Sequence, residues 1–202
     1  MQSKSLKRPL IILYVAGIVF SAAFFLFLTN TLSSRDSYAK QTMSIQSSVS
    51  AEQVASGLPA RLSIPKIDVN AAIESVGLTP QGAMDVPKSP ADVAWFNLGP
   101  RPGDIGSAVI AGHYGWKNNI PAAFDNLSDL QKGDKIYIKD DKGITVIFAV
   151  RESRRFGENE DASVVFGSGD GKAHLNLVTC EGVWNKDSKS YSKRLVVFAD
   201  RE

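Results

Sequence analysis

The chain carries one thiol, Cys180, and two imidazoles, His113 and His174. A lone cysteine excludes an intrachain disulfide framework and a zinc site built on several thiolates. Two roles remain for the sulfur: a small buried hydrophobe or a nucleophile. Nucleophilic attack needs the thiolate, and an ordinary thiol pKa of about 8.5 means that a base or a neighbouring positive charge must supply it. His174 stands six residues before Cys180 on the same predicted strand. At ~3.3 Å per residue that is roughly 20 Å, far beyond the ~3 Å over which protons are exchanged. It reads as a structural or surface residue. His113 follows the apolar run Ala108–Ala111 in Gly112-His113-Tyr114-Gly115-Trp116, where a strand gives way to a loop, and is either a hydrogen-bonded loop histidine or the one remaining imidazole that could serve Cys180.

A third group comes from connectivity. Cys180 ends the predicted strand Ala173–Cys180 and Arg194 opens the next, Arg194–Ala199, with Glu181–Lys193 between them as a polar loop. An antiparallel hairpin brings both residues to one end of the sheet. The guanidinium would there either donate to a substrate carbonyl and stabilise the oxyanion formed on attack, or serve as a strand-edge salt-bridge partner. Spacing alone leaves both roles open.

The elements that must position these groups are short and mostly extended. β-Branched or alternating runs occur at Arg61–Ile64, Val69–Ser75, Ser107–Ala111, Lys135–Lys139, Gly143–Arg151, Ala173–Cys180 and Arg194–Ala199. Turns at Thr79–Gly82, Gly99–Asp104 and Lys132–Asp134 punctuate them. Helical signal is confined to a turn or two at Ala122–Leu130 and Ala162–Phe166. Six to eight strands at this spacing predict a mainly β fold, a closed or nearly closed barrel, with a sandwich as the alternative.

The whole chain has 202 residues, 44% hydrophobic and 22% charged, which is neither a disordered tail nor a multi-pass membrane protein. Its +2 charge is unevenly spread. Five cations (Lys4, Lys7, Arg8, Arg35, Lys40) and two anions (Asp36, Glu52) lie before residue 58, so the chain's 23 and 21 leave 18 basic and 19 acidic residues beyond it. A domain of charge −1 lacks the concentrated positive face that nucleic-acid binding requires.

Leu10–Leu28 is 19 residues without a charge, about one bilayer core when helical. Lys4, Lys7 and Arg8 precede it, so by the positive-inside rule residues 1–9 stay cytoplasmic and the rest of the chain faces outward. Hydrophobic cores of signal peptides are shorter, about 7–15 residues, which favours a transmembrane anchor. The competing reading is a cleaved signal peptide, with Ser37-Tyr38-Ala39 as a small-x-small site. Residues 29–57, with eight serines, form a stalk, and residues 58–202 form one domain. A free thiol in an exported domain is exposed to oxidation, so its presence signals intermolecular pairing or a reactive role.

Taken in order, Arg61-Leu62-Ser63-Ile64-Pro65-Lys66-Ile67, Ala111-Gly112-His113-Tyr114, Pro121-Ala122-Ala123-Phe124 with Leu127, Leu177-Val178-Thr179-Cys180 and Arg194-Leu195-Val196-Val197 resemble the sortases. These are membrane-anchored cysteine transpeptidases of mainly Gram-positive surfaces, and the pattern is most similar to their class E or class F branches. One departure is Asn176, where many sortases have threonine. The resemblance implies an eight-stranded sortase-type β-barrel with one or two short helices. In it Cys180 is the nucleophile, His113 the acid/base and Arg194 the oxyanion or positioning residue, and no cofactor is needed. It further implies that the thiolate cleaves an LPXTG-like sorting signal of secreted proteins through a thioacyl enzyme. An amine acceptor, a cell-wall precursor or a pilin lysine, then resolves that intermediate. Ser153–Lys172 and Glu181–Lys193 would flank the substrate groove, with Tyr114, Val178, Thr179 and Trp184 as substrate contacts. Trp116 and Trp184, three and four residues after His113 and Cys180, would be groove walls, with ordinary packing as the alternative.

Other signals are weaker. Gly167–Lys172 misses the phosphate-loop spacing, with Phe166 where the first glycine belongs and Ala173 in place of Ser or Thr. Asp125, Asp129, Asp134, Asp140 and Asp141 match no calcium loop and fall in turns, so no metal site is expected. Two rival functions remain. A papain-like or NlpC-like wall peptidase would want its cysteine at a helix start before the histidine, the reverse of the order here. A non-catalytic surface-binding β-domain would make the thiol incidental.

Overall fold

The computed structural model describes residues 57–115, 120–158, 160–187 and 190–202. The predicted N-terminus (1–9), transmembrane anchor (10–28) and stalk up to residue 56, together with Trp116, lie outside the described residues. Among the described residues no helix is long and apolar enough to cross a membrane.

Eight strands form a closed barrel: β1 (Pro59–Ile64), β2 (Val69–Val76), β3 (Val93–Phe96), β4 (Gly106–Gly112), β5 (Lys135–Asp140), β6 (Thr145–Gly157), β7 (Ala173–Asn185) and β8 (Ser190–Arg201). Around the barrel the order is β1-β2-β3-β4-β7-β8-β6-β5, and β5 pairs back onto β1, which rules out the sandwich. β2–β3 and β4–β7 are parallel; the other neighbours are antiparallel.

Strands alternate their side chains between two faces, and here β8 is apolar on both over Leu195–Ala199. Leu175, Leu177, Leu195, Val197 and Ala199 point into the barrel, where they join Leu62, Ile64, Ile110, Ile136 and Phe148. Their alternates Val196 and Phe198 point outward and cluster with Val109, Phe156 and Val165. Burial of this outer face follows from the connection 158–172, which crosses back over the outside of the sheet and contributes Val165.

The segment 121–130 closes the interior cluster with Phe124, Leu127 and Leu130. Gly112 makes this possible, because a Cβ there would stand 2.4 Å from the Phe124 ring. The two expected helical turns are single 3-10 turns, Leu127–Asp129 and Ser163–Val165.

Three boundaries differ from the sequence reading. β3 is a four-residue strand, VAWF, with buried residues of both parities, so it shows no alternation to detect. β6 runs on through a register shift between Val150 and Glu152 to Gly157, leaving only 158–172 of the expected groove segment as a connection. β7 continues past Cys180 to Asn185 and β8 begins at Ser190, so the expected loop Glu181–Lys193 is largely a hairpin arm. The ladder shifts between Glu181 and Trp184, where Gly182 takes φ 90°. That positive-φ bulge, set among polar residues, makes the arm look like loop in one dimension.

Candidate active site

Cys180 pairs with Arg194 across the β7–β8 ladder, and Arg194 pairs with Phe156 across β8–β6. On the other side, the last β4–β7 pair is Ala111 with Val178. Continuing both strands by two residues sets His113 abreast of Cys180. Parity agrees: Val109 and Val196 belong to the outer cluster, and His113 and Arg194 fall on the same alternation. His113, Cys180, Arg194 and Phe156 therefore form one transverse row on the outside of the barrel, with neighbouring strands about 4.8 Å apart. All four line a single cleft of ≈ 400 Å³. Val165 and Phe166 from the 158–172 connection, and Met84 and Val86 from the β2–β3 crossover, wall it.

Each reactive group is held by its own local structure. The Thr179 hydroxyl, buried inside the barrel, donates to the Gly112 carbonyl at 2.8 Å and ties the strand before Cys180 to the residue before His113. His113 Nε2 lies 2.7 Å from the Pro87 carbonyl oxygen. A carbonyl only accepts, so Nε2 carries the proton. The backbone is fixed as well, since the Phe124 N–H donates to the His113 carbonyl at 3.1 Å and the Ala123 N–H to the Pro90 carbonyl at 2.8 Å. Arg194 donates from Nη1 to the carbonyls of Tyr191 (2.9 Å) and Lys193 (3.0 Å), and from Nη2 to Ser190 Oγ (3.1 Å). Of its five N–H groups, Nε–H and one on Nη2 are not used in these contacts.

Electrostatics at the sulfur are opposed. Partial burial pushes the Cys180 thiol above its ordinary pKa, and the Arg194 charge pulls it back. The resting group is thus the thiol, and its ionisation depends on the neighbours in the row. Tyr191 is also pushed up, first by burial and then by the negative charge that Cys180 and Tyr114 would carry when ionised.

The remaining sequence candidates separate. Val178 and Thr179 both line the cleft, although the Thr179 hydroxyl is spent on Gly112. Tyr114 and Trp184 stand outside it on an aromatic rim, each edge-to-face with Tyr191, with ring centroids 5.6 and 5.1 Å away. His174 is buried at the far end of β7, with Nδ1 2.7 Å from Asp200 and Nε2 2.9 Å from Asp170. The acids of the turns act as caps: Asp125 accepts the Gly115 and Ala122 N–H groups, and Asp134 that of Gln131. Among the described residues no group of three or more His, Cys, Asp or Glu side chains is placed to hold a metal ion. Sequence reasoning placed Phe156 within the groove segment Ser153–Lys172, where the cleft has it, but on a loop and not on β6. It missed Met84 and the Pro87 carbonyl, and a backbone oxygen has no residue-type signal.

The sequence matches the Sortase domain profile over residues 62–202. Similar solved structures include sortase A from Corynebacterium diphtheriae, 26% identical with a TM-score of 0.55 over 73% of this chain and 61% of that one. A Clostridium perfringens sortase D5 transpeptidase is 25% identical, with a TM-score of 0.53 over 71% and 78% of the two chains. Sortase C-1 from Actinomyces oris, 24% identical with a TM-score of 0.57 over 78% and 81%, is a likeness of fold alone. Among curated proteins none matches the sequence. The chain thus spans 61% of the diphtherial sortase A, and it belongs to the sortase family.

Proposed function

We propose that this chain is a sortase-type cysteine transpeptidase acting on secreted proteins that carry an LPXTG-like signal. The observation that carries the reading is the transverse row: a single thiol flanked by an imidazole and a guanidinium on one open cleft. His113, abreast of Cys180 in this row, takes the thiol proton. The thiolate attacks the scissile carbonyl carbon, and the developing oxyanion accepts from the N–H groups of Arg194 outside its strand contacts. The imidazolium returns its proton to the leaving amine, and a thioester links the sorting peptide to Cys180. An incoming amine, from a cell-wall precursor or a pilin lysine, gives a proton to His113 and displaces the sulfur. The apolar wall of Met84, Val86, Val165 and Phe166 suits the hydrophobic residue of such a signal. Residues 10–28 would anchor the enzyme with residues 1–9 in the cytoplasm, and residues 29–57 would hold the domain at the outer surface. The class E or class F assignment rests on the motif pattern alone.

The test uses the full chain with an LPXTG-like peptide and an amine acceptor. Mass spectrometry should show a thioacyl adduct on Cys180 and the transfer product, both lost in Cys180→Ala and His113→Ala. Turnover retained by Cys180→Ala would defeat the reading.

A further inference from the structure

The outer face of β7 presents four residues in alternation: His174, Asn176, Val178 and Cys180. Asn176 is 1% exposed, and its Nδ2 donates to the Val165 carbonyl at 2.6 Å. Val165 ends the 3-10 turn Ser163–Val165, which forms part of the cleft wall. That turn has little rigidity of its own. Its internal bonds are Val165 N–H to Ala162 and Phe166 N–H to Ser163, at 2.9 and 3.0 Å, and three residues make no self-supporting helix. Packing of Val165 on Val109, Phe156, Val196 and Phe198, and of Phe166 edge-to-face on Phe96, draws the turn inward without fixing its height or rotation. A directional bond does fix them.

The amide makes this bond at a cost. Asn176 Oδ1 is buried with no hydrogen-bond partner among the described residues. A leucine of similar shape would remove that orphan atom but would strand the Val165 carbonyl, which lies at a turn end with no further residue of the turn to satisfy it. The polar side chain is thus accounted for by what it holds. It stands four residues from the nucleophile on the same strand face, so the wall is referenced to the strand that carries Cys180.

We propose that Asn176 is a positioning residue that sets affinity for the sorting peptide by pinning the Ser163–Val165 wall to β7, leaving the chemistry at Cys180 untouched. The proposal rests on the transpeptidase reading. The experiment compares the full chain with Asn176→Leu and Asn176→Ala, neither of which can donate to the Val165 carbonyl. KM for an LPXTG-like peptide is expected to rise about tenfold, with kcat and the rate of Cys180 alkylation by a small reagent within about twofold of the parent. Hydrogen exchange at 162–166 should quicken while the strands keep their protection. Unchanged KM and exchange would overturn the proposal. So would a fall in kcat and alkylation at constant KM, or failure of both variants to fold. Should the parent transfer no peptide, exchange alone decides. Faster exchange in the variants upholds the pin and places the failure in the transpeptidase reading, whereas unchanged exchange overturns the pin.

Discussion

Arg194 and Cys180 are direct partners in the β7–β8 ladder, so the guanidinium and the sulfur leave adjacent strands on the same side of the sheet. The charge is held there by the carbonyls of Tyr191 and Lys193 and by the Ser190 hydroxyl, which orient it without neutralising it. Removing a positioned oxyanion donor typically costs about 10²–10³ in kcat. Arg194→Ala is therefore expected to lower kcat by that order in steady-state transpeptidation, and Arg194→Lys to recover only part, because an ammonium lacks the planar fork. Full activity in Arg194→Ala would remove the arginine from the chemistry.

The same pairing fixes a pH dependence. Burial raises the Cys180 pKa and Arg194 lowers it, with burial the larger effect. The alkylation rate of Cys180 should therefore rise with pH through a midpoint above that of an ordinary thiol. Arg194→Ala should move that midpoint further up, since only the raising influence remains. A midpoint that falls on removal of Arg194 would contradict the arrangement.

Much of this site was readable in one dimension because its three groups belong to residue types that are rare or end-placed in the chain. Cys180 has no rival thiol, His174 is excluded by its distance along a strand, and the apolar runs before His113 and after Arg194 announce β4 and β8. What stayed hidden is what the third dimension supplies. Phe156 joins the row only because β6 survives its bulge at Val150–Glu152, and bulges leave no periodic trace. The extension of β7 beyond Cys180 was masked by Gly182. The imidazole's hydrogen-bond partner is the carbonyl of Pro87, in a crossover 26 residues earlier in the chain.

Gly112 links the fold to the site. A Cβ would intrude to 2.4 Å from the Phe124 ring, and Phe124 in turn bonds the carbonyl of His113. Overpacking of this kind costs about 1–3 kcal/mol. Gly112→Ala is expected to lower the Tm by roughly 2–4 °C per kcal/mol for a domain of this size, and to depress kcat through displacement of the histidine. Thermal unfolding and steady-state kinetics check both. An unchanged Tm would mean that the ring moves aside freely.

Asp170 provides a test at the opposite end of β7. Its carboxyl is held below its ordinary pKa, first by the hydrogen bond from His174 and then by the Lys172 N–H. A carboxylate depressed in the folded state contributes stability that is fully present above the unfolded pKa of about 4 and lost as pH falls through the lower folded value. An asparagine side chain cannot ionise, so the difference in Tm between the parent and Asp170→Asn should be widest near neutrality and close as the pH drops below about 4. Differential scanning calorimetry from pH 7 to 3 measures it. A gap that stays constant from pH 7 to 3 would show that the hydrogen bond from His174 does not depend on the carboxylate's charge.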